Sequence, residues 1–115
     1  MKEFMMIFLS KDYGELGLSP EDIQEKMGKW WAWQSKMSEA EVLVGGHALT
    51  YEVKHIAGSD RTVSDLNTAE LKEIVGGYYI VKADSFESAA KIAEGYPDYD
   101  LGGKVELREI MVFDR

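Results

Sequence analysis

Hydrophobic residues dominate two stretches of the chain that are short enough to be single strands. Residues 2–9 and residues 74–83 are apolar, aromatic and β-prone, and Tyr78 and Tyr79 lie at the centre of the second stretch. This pattern favours strands with hydrophobic neighbours on both faces. Acidic Glu3 and the short apolar run do not fit a secretory signal, so we interpret residues 2–9 as the first strand of the fold.

A long amphipathic helix is predicted between these strands, ending near Ala40. Ser19 can cap its first turn, Pro20 suits its first position, and acidic residues follow at once. Successive residues of a helix lie about 100° apart around its axis, and this spacing predicts one hydrophobic face. It is made of Ile23, Met27, Trp30, Trp31, Trp33 and Met37. Gln34 lies in the middle of that face, so it needs a hydrogen-bond partner at a wet cavity or a backbone edge.

The other elements are shorter. A second strand begins at Val42 and continues past Gly45-Gly46 to Leu49, and residues 51–56 and 61–63 form a hairpin around a turn. Residues 64–73 are polar and have no clear period. Asp84 or Ser85 caps a helix over residues 86–94, with a predicted buried face of Phe86, Ala89, Ala90, Ile92 and Ala93. The last strand is predicted over residues 104–113.

The order of elements indicates the fold class. Two βαβ halves with an inserted hairpin in 115 residues predict one ferredoxin-like α+β domain, residues 1–115, with a four-stranded antiparallel sheet and both helices on one face. The helices can cover only one face of this sheet. The predicted faces are Phe4, Met6 and Phe8 against Met5, Ile7 and Leu9 in one strand, and Val75, Tyr79 and Val81 against Ile74, Tyr78 and Ile80 in the other.

A sheet that is hydrophobic on both faces needs a second cover. A second copy of the sheet is the simplest one, and we therefore predict a homodimer. The alternative is that the hairpin or the C-terminal segment folds over the open face.

Composition excludes several classes of function. The net charge of −8, without a basic stripe, argues against nucleic-acid binding, and the absence of cysteine excludes disulfides and thiolate chemistry. No stretch is long enough for a membrane helix, so the expected location is the cytoplasm. The paired glycines have neither P-loop nor dinucleotide spacing, no cluster has metal-ligand spacing, and we predict no cofactor. The acidic loop over residues 96–100 is interpreted as solvated.

Candidate chemistry centres on His47 and Asp65. His47 follows Gly45-Gly46, whose small size leaves room for a ligand beside the sheet, and Asp65 or Glu73 could orient its imidazole as a carboxylate partner. The alternative is an ordinary strand histidine. Trp30, Gln34, Tyr79 and Glu73 are the predicted ligand-binding residues, although helix tryptophans are more often part of a core.

Several segments together resemble the YCII-related proteins, also called the DGPF domain family. They are Met1–Phe8, Ser19-Pro20-Glu21 with Trp30 and Trp33, Leu43–Gly46, Lys72–Ile80, Ala83-Asp84-Ser85 and Gly102–Arg108, in the same order over nearly the whole chain. The resemblance implies a dimeric α+β barrel of two sheets packed face to face. The Asp-Gly-Pro-Phe tetrapeptide itself is replaced, since Leu66, Asn67 and Thr68 follow Asp65. Related members with a His–Asp pair have been viewed as lyases or isomerases, but no histidine stands between the first strand and first helix here.

Two functional hypotheses follow. One is a small organic molecule bound between sheet and helices, with cofactor-free acid–base chemistry of a lyase or isomerase type. The other is a non-catalytic interaction or regulatory module that acts as a homodimer.

Overall fold

The computed structural model describes residues 1–66 and 73–113. The main strands are β1 (Lys2–Ser10), β2 (Leu43–Ala48), β5 (Ile74–Ala83) and β6 (Lys104–Glu109), and the helices are α1 (Pro20–Glu39) and α2 (Phe86–Ala93). Strands β3 (Lys54–Ala57) and β4 (Thr62–Asp65) form a separate hairpin sheet, and a short 3-10 helix covers Tyr99–Leu101. The main sheet is antiparallel in the order β2-β5-β1-β6, which confirms the predicted ferredoxin-like α+β fold.

Local sequence signals set the ends of both helices. The Asp22 backbone N–H donates to Ser19 Oγ (3.1 Å) and the Ser19 N–H donates to Asp22 Oδ2 (3.2 Å), so the first turn of α1 has a complete capping box. Ser85 caps α2 in a similar way through the Ser88 N–H. Neither described helix has the length and hydrophobicity needed to cross a membrane.

The core lies between the sheet and the two helices. Phe4, Met6 and Phe8 of β1 are buried against Trp33 and Met37 of α1, and against Ala89 and Ala93 of α2. Trp33 also donates from Nε1 to the Ile92 carbonyl oxygen (3.1 Å), which joins the helices. In α2, the predicted burial of Phe86 and Ala90 is wrong, because Phe86 is 51 % exposed and Ala90 is exposed as well.

The predicted hydrophobic face of α1 also needs correction. Trp31 is 65 % exposed, whereas Lys26 is buried. Lys26 reaches a loop far away in sequence, where its Nζ donates to the Pro97 carbonyl oxygen (2.9 Å) and pairs with Asp100. Helical periodicity alone could not indicate this loop as a partner for a lysine.

A bulge changes which face of β5 some residues occupy. Tyr79 pairs with Met6 and Gly77 pairs with Phe8, but the register then shifts and Val75 pairs with Leu9. Paired residues lie on the same face of an antiparallel sheet, so Val75, paired with Leu9, lies on the face away from the helices, and Ile74, paired with Ser10, lies on the helix side. The predicted faces of Val75 and Ile74 are therefore wrong. Gly76 is the extra residue of the bulge.

The last strand is shorter than predicted. It ends at Glu109, and the Ile110 N–H makes one further bond to the Glu3 carbonyl oxygen (2.8 Å). The side chains of Met111, Val112 and Phe113 that follow are exposed.

The face of the main sheet away from the helices is hydrophobic and half-buried along the central strands β1 and β5, whereas β6 places Lys104, Glu106 and Arg108 on it. We define this open face by Met5, Ile7, Leu9, Tyr78 and Ile80, all of which retain partial exposure. The predicted polar segment over residues 64–73 lies mostly outside the described residues, including Asn67 and Thr68.

Candidate functional site

A cavity of about 410 Å³ lies between α1 and the sheet. Helix α1 supplies one wall and the centre of the sheet supplies another, while loop residues close the far end. Its main lining side chains are Phe8, Ser10, Asp12, Tyr13, Met27, Trp30, Trp31, Gln34, Ala48, Leu49, Tyr51, Tyr79, Tyr96 and Asp98. Most of these side chains are aromatic or apolar, and the polar ones are few.

The inner wall is a cluster of aromatic rings. Phe8 is stacked on Tyr96 (centroids 5.2 Å apart, 12° between planes) and meets Trp30 and Tyr79 edge-on at 5.1 and 5.3 Å. Gly46 permits this arrangement, since a Cβ there would overlap the Tyr79 ring and lie 2.9 Å from the Tyr79 Cα. Edge-to-face packing fixes the orientation of these rings, so the wall is preformed.

A chain of hydrogen bonds connects the aromatic wall to a buried carboxylate. Trp30 Nε1 donates to the Tyr13 hydroxyl (3.0 Å), and that hydroxyl donates to Asp98 Oδ2 (2.7 Å). Asp98 is held by its own loop, where the backbone N–H groups of Leu101 and Gly103 donate to its carbonyl oxygen. Its other carboxylate oxygen, Oδ1, has no hydrogen-bond partner among the described residues.

Burial sets the protonation states in this region. Burial raises the pKa of Asp98, although the Tyr13 hydrogen bond and the charge of Lys26 act in the opposite direction. Burial also raises the pKa of Tyr13, Tyr79 and Tyr96, so their hydroxyls are neutral at physiological pH. The site therefore combines neutral hydroxyl groups with one carboxyl group that accepts a proton more readily than an exposed aspartate.

The raised pKa of Asp98 predicts a specific pH dependence of folding. At pH values between 3.8 and its raised folded pKa, Asp98 holds a proton in the folded protein that the unfolded chain releases. The contribution of Asp98 to stability therefore falls as the pH rises from 3.8 to the higher folded value, and is constant above it. We expect the free energy of unfolding of Asp98→Asn, measured in urea from about pH 3 to 8, not to show this decrease. Asp84→Asn, at an exposed position, is the control, and identical profiles for wild type and Asp98→Asn would contradict the prediction.

The match to a protein family covers nearly the whole chain. The model of the YCII-related domain matches residues 4–114, which include every residue that lines the cavity and all the described elements except the first two residues of β1. The chain belongs to the YCII-related family. A comparison with curated proteins finds no match.

Three of the predicted ligand-binding residues of this YCII-related protein lie together on the cavity. The Tyr79 hydroxyl donates to Gln34 Oε1 (3.3 Å), so the polar residue on the hydrophobic face of α1 has a side-chain partner across the cavity. Trp30 lies beside both and contacts the ring of Tyr79 at 6.1 Å between centroids. Of the two alternatives for Gln34, the structure shows the cavity rather than a backbone edge.

Of the remaining predicted site residues, Asp65 and Glu73 lie outside the cavity lining. Asp65 is at the end of β4, where its carboxylate pairs with Lys54 (2.8 Å), and Glu73 pairs with Lys104 (2.5 Å). His47 belongs to the cavity lining, but its ring lies 5.8 Å from that of Tyr78, its partner on the open face. Asp65 thus contacts the hairpin sheet, whereas His47 contacts the main sheet, and their catalytic role stays a prediction.

The polar end of the site, formed by Tyr13, Tyr96 and Asp98, was not predicted from the sequence. The interpretation of residues 96–100 as a solvated loop is wrong for Tyr96 and Asp98, which are both buried. The available signal was local: two aromatic residues and Pro97 alternate with the acids, which is unusual for a loop in free solvent. Tyr13 gave no comparable signal, because its role depends on Asp98, 85 positions away.

Proposed function

We propose that this YCII-related protein binds a small organic molecule in the cavity between α1 and the sheet. The observation that carries the proposal is a preformed cavity of about 410 Å³ with aromatic walls and a few polar groups at its end. Binding sites for small molecules have this combination of size, hydrophobic walls and convergent polar groups. The apolar part of the ligand contacts Trp30 and Tyr79, and Gln34 and Asp98 orient its polar part.

The arrangement also supports cofactor-free acid–base chemistry. A buried carboxyl group with a raised pKa accepts a proton more readily than an exposed aspartate and can return it, and the Tyr13 hydroxyl, a donor to it, can stabilise the carboxylate form. Proton transfer of this type is sufficient for an isomerase or lyase step. In this proposal Asp98, rather than the pair His47 and Asp65, is the acid–base group.

We further propose that the protein is a homodimer joined through its open face. Met5, Ile7 and Leu9 retain exposure on that face, next to Tyr78 and Ile80 of the adjacent strand. A contiguous apolar surface of this kind usually marks an interface. The second candidate function rests on this surface alone: a non-catalytic interaction module in which dimer assembly, not the cavity, is the active feature.

A fragment screen by protein NMR tests the cavity proposal. Bound fragments are expected to shift the amide signals of cavity residues, including Gln34 and Tyr79. Ala48→Trp, which places a large side chain at the lining, is expected to weaken binding roughly tenfold or more, since a forced overlap costs about 1–3 kcal/mol.

Ala32→Trp adds the same side chain on the exposed side of α1 and serves as the control. Fragments that bind wild type and Ala48→Trp equally well would place binding outside the cavity. A screen in which the dimer forms but no fragment perturbs the cavity would favour the interaction module.

A further inference from the structure

The formal charges on the cavity wall all have one sign. Asp12 and Asp98 are its carboxylates, and no lysine or arginine belongs to its lining among residues 1–66 and 73–113. The one histidine of the described lining, His47, has its ring beside Tyr78 of the open face. The net charge of the whole chain is −8, so the surrounding field has the same sign.

The carboxylate at the end of the cavity is incompletely compensated. Asp98 is 3 % exposed, and its Oδ1 has no hydrogen-bond partner in the described part of the chain. Lys26 Nζ is the nearest cation, but it lies 3.9 Å from Oδ1 and is already bound to the Pro97 carbonyl oxygen and to Asp100. A buried carboxylate oxygen without a hydrogen-bond donor favours a ligand that supplies such a donor.

The aromatic walls point to the same class of ligand. Trp31 is 65 % exposed although it belongs to the cavity lining, and Trp30 and Tyr79 lie deeper. An exposed indole is poorly explained by packing, and a cation placed over an aromatic face is attracted by the negative potential of that face. Aromatic faces and carboxylates together bind ammonium groups but repel carboxylates and phosphates.

We propose that the cavity selects small organic cations, in which an ammonium group reaches Asp98 and Asp12 while the apolar body lies against Trp31, Trp30 and Tyr79. This inference rests on the proposed function and specifies the chemical class of its ligand. The selectivity arises from charge and aromatic contact, so anionic molecules of the same shape are excluded.

Three probes of nearly equal shape test the selectivity: 2-phenylethylamine, 2-phenylethanol and 3-phenylpropionate. Titrations near pH 7.5, where the amine is charged, are followed through the amide shifts of cavity residues. We expect the amine to bind about tenfold more tightly than the alcohol and the carboxylate to bind most weakly, with the difference reduced at high salt.

Variants assign the preference to particular groups. Asp98→Asn and Asp12→Asn are expected to reduce amine affinity roughly five- to tenfold while changing alcohol affinity less than about twofold. Trp31→Leu, at an exposed position, is expected to reduce amine affinity more than alcohol affinity. Asp84→Asn, exposed on the loop before α2, removes the same charge outside the cavity and is the control. Asp12→Asn and Trp31→Leu keep the test valid if Asp98→Asn fails to fold.

The outcomes separate this inference from the function on which it rests. Equal binding of amine and alcohol, or strongest binding of the carboxylate, would overturn the cation preference but leave the cavity as a binding site. An amine preference that survives Asp12→Asn, Asp98→Asn and Trp31→Leu unchanged would also overturn it. Absence of any cavity shift with all three probes would count against the proposed function itself, and this inference would fall with it.

Discussion

Replacing Ile7 with lysine is expected to convert the proposed dimer into a monomer. Ile7 is at the centre of the open face, where it pairs with Tyr78 on one side and Glu106 on the other. In the proposed dimer each new ammonium group would be removed from water at the interface. We expect the dissociation constant to rise by about two orders of magnitude or more, since removing a charge from water without full compensation costs several kcal/mol. Light scattering after size-exclusion chromatography measures the change.

Two further variants make the result specific. Ala90→Lys adds the same charge on the exposed side of α2, away from the open face, and is expected to leave the dimer intact. Ile7→Leu keeps the hydrophobic surface and is expected to remain dimeric. A wild-type protein that is monomeric at micromolar concentration would contradict the dimer, and a fully dimeric Ile7→Lys would contradict this face as the interface.

The overall fold was predictable because its signals are local. Ser19 with Asp22, and Ser85 before Phe86, mark helix starts through bonds to residues only three positions away. Alternation in β1 correctly separated Phe4, Met6 and Phe8 from the open face. The bulge at Gly76 was not predictable in the same way, because it depends on how β5 aligns with β1, and it moved Val75 to the other face.

The candidate site was predictable only in part, for a related reason. Gln34 and Tyr79 could be found because each is conspicuous within its own element, as a polar residue on a hydrophobic helix face and a large aromatic residue in a strand. The burial of Asp98 depends on the packing of the loop after α2 against Tyr13 and the first half of α1, which the pattern within that loop does not indicate. Contacts between distant segments decide which acid is buried, and composition alone suggested that this loop was solvated.

The contact between Lys26 and the loop after α2 implies the second large effect, which is a loss of stability when this contact is removed. Lys26 belongs to α1, and its buried ammonium group lies 3.9 Å from Asp98 Oδ1, 2.9 Å from the Pro97 carbonyl oxygen and closer still to Asp100. Lys26→Met retains the hydrophobic stem but removes the only cation paired with Asp98 among the described residues. We expect unfolding in urea to become about 3 kcal/mol more favourable at neutral pH, since breaking a buried ion pair leaves an uncompensated charge.

A matched lysine and a double variant show whether the buried charge is responsible. Lys29→Met, one turn further along α1, breaks only an exposed pair with Glu25 and is expected to cost less than about 0.5 kcal/mol. Adding Asp98→Asn to Lys26→Met is expected to restore part of the lost stability, because the stranded carboxylate is then removed. Equal losses for Lys26→Met and Lys29→Met would contradict this argument, and with it the view that Asp98 is held as a charged group at the end of the cavity. A loss confined to Lys26→Met, partly recovered in the double variant, would link the stability of the fold to the group that we propose binds the ligand.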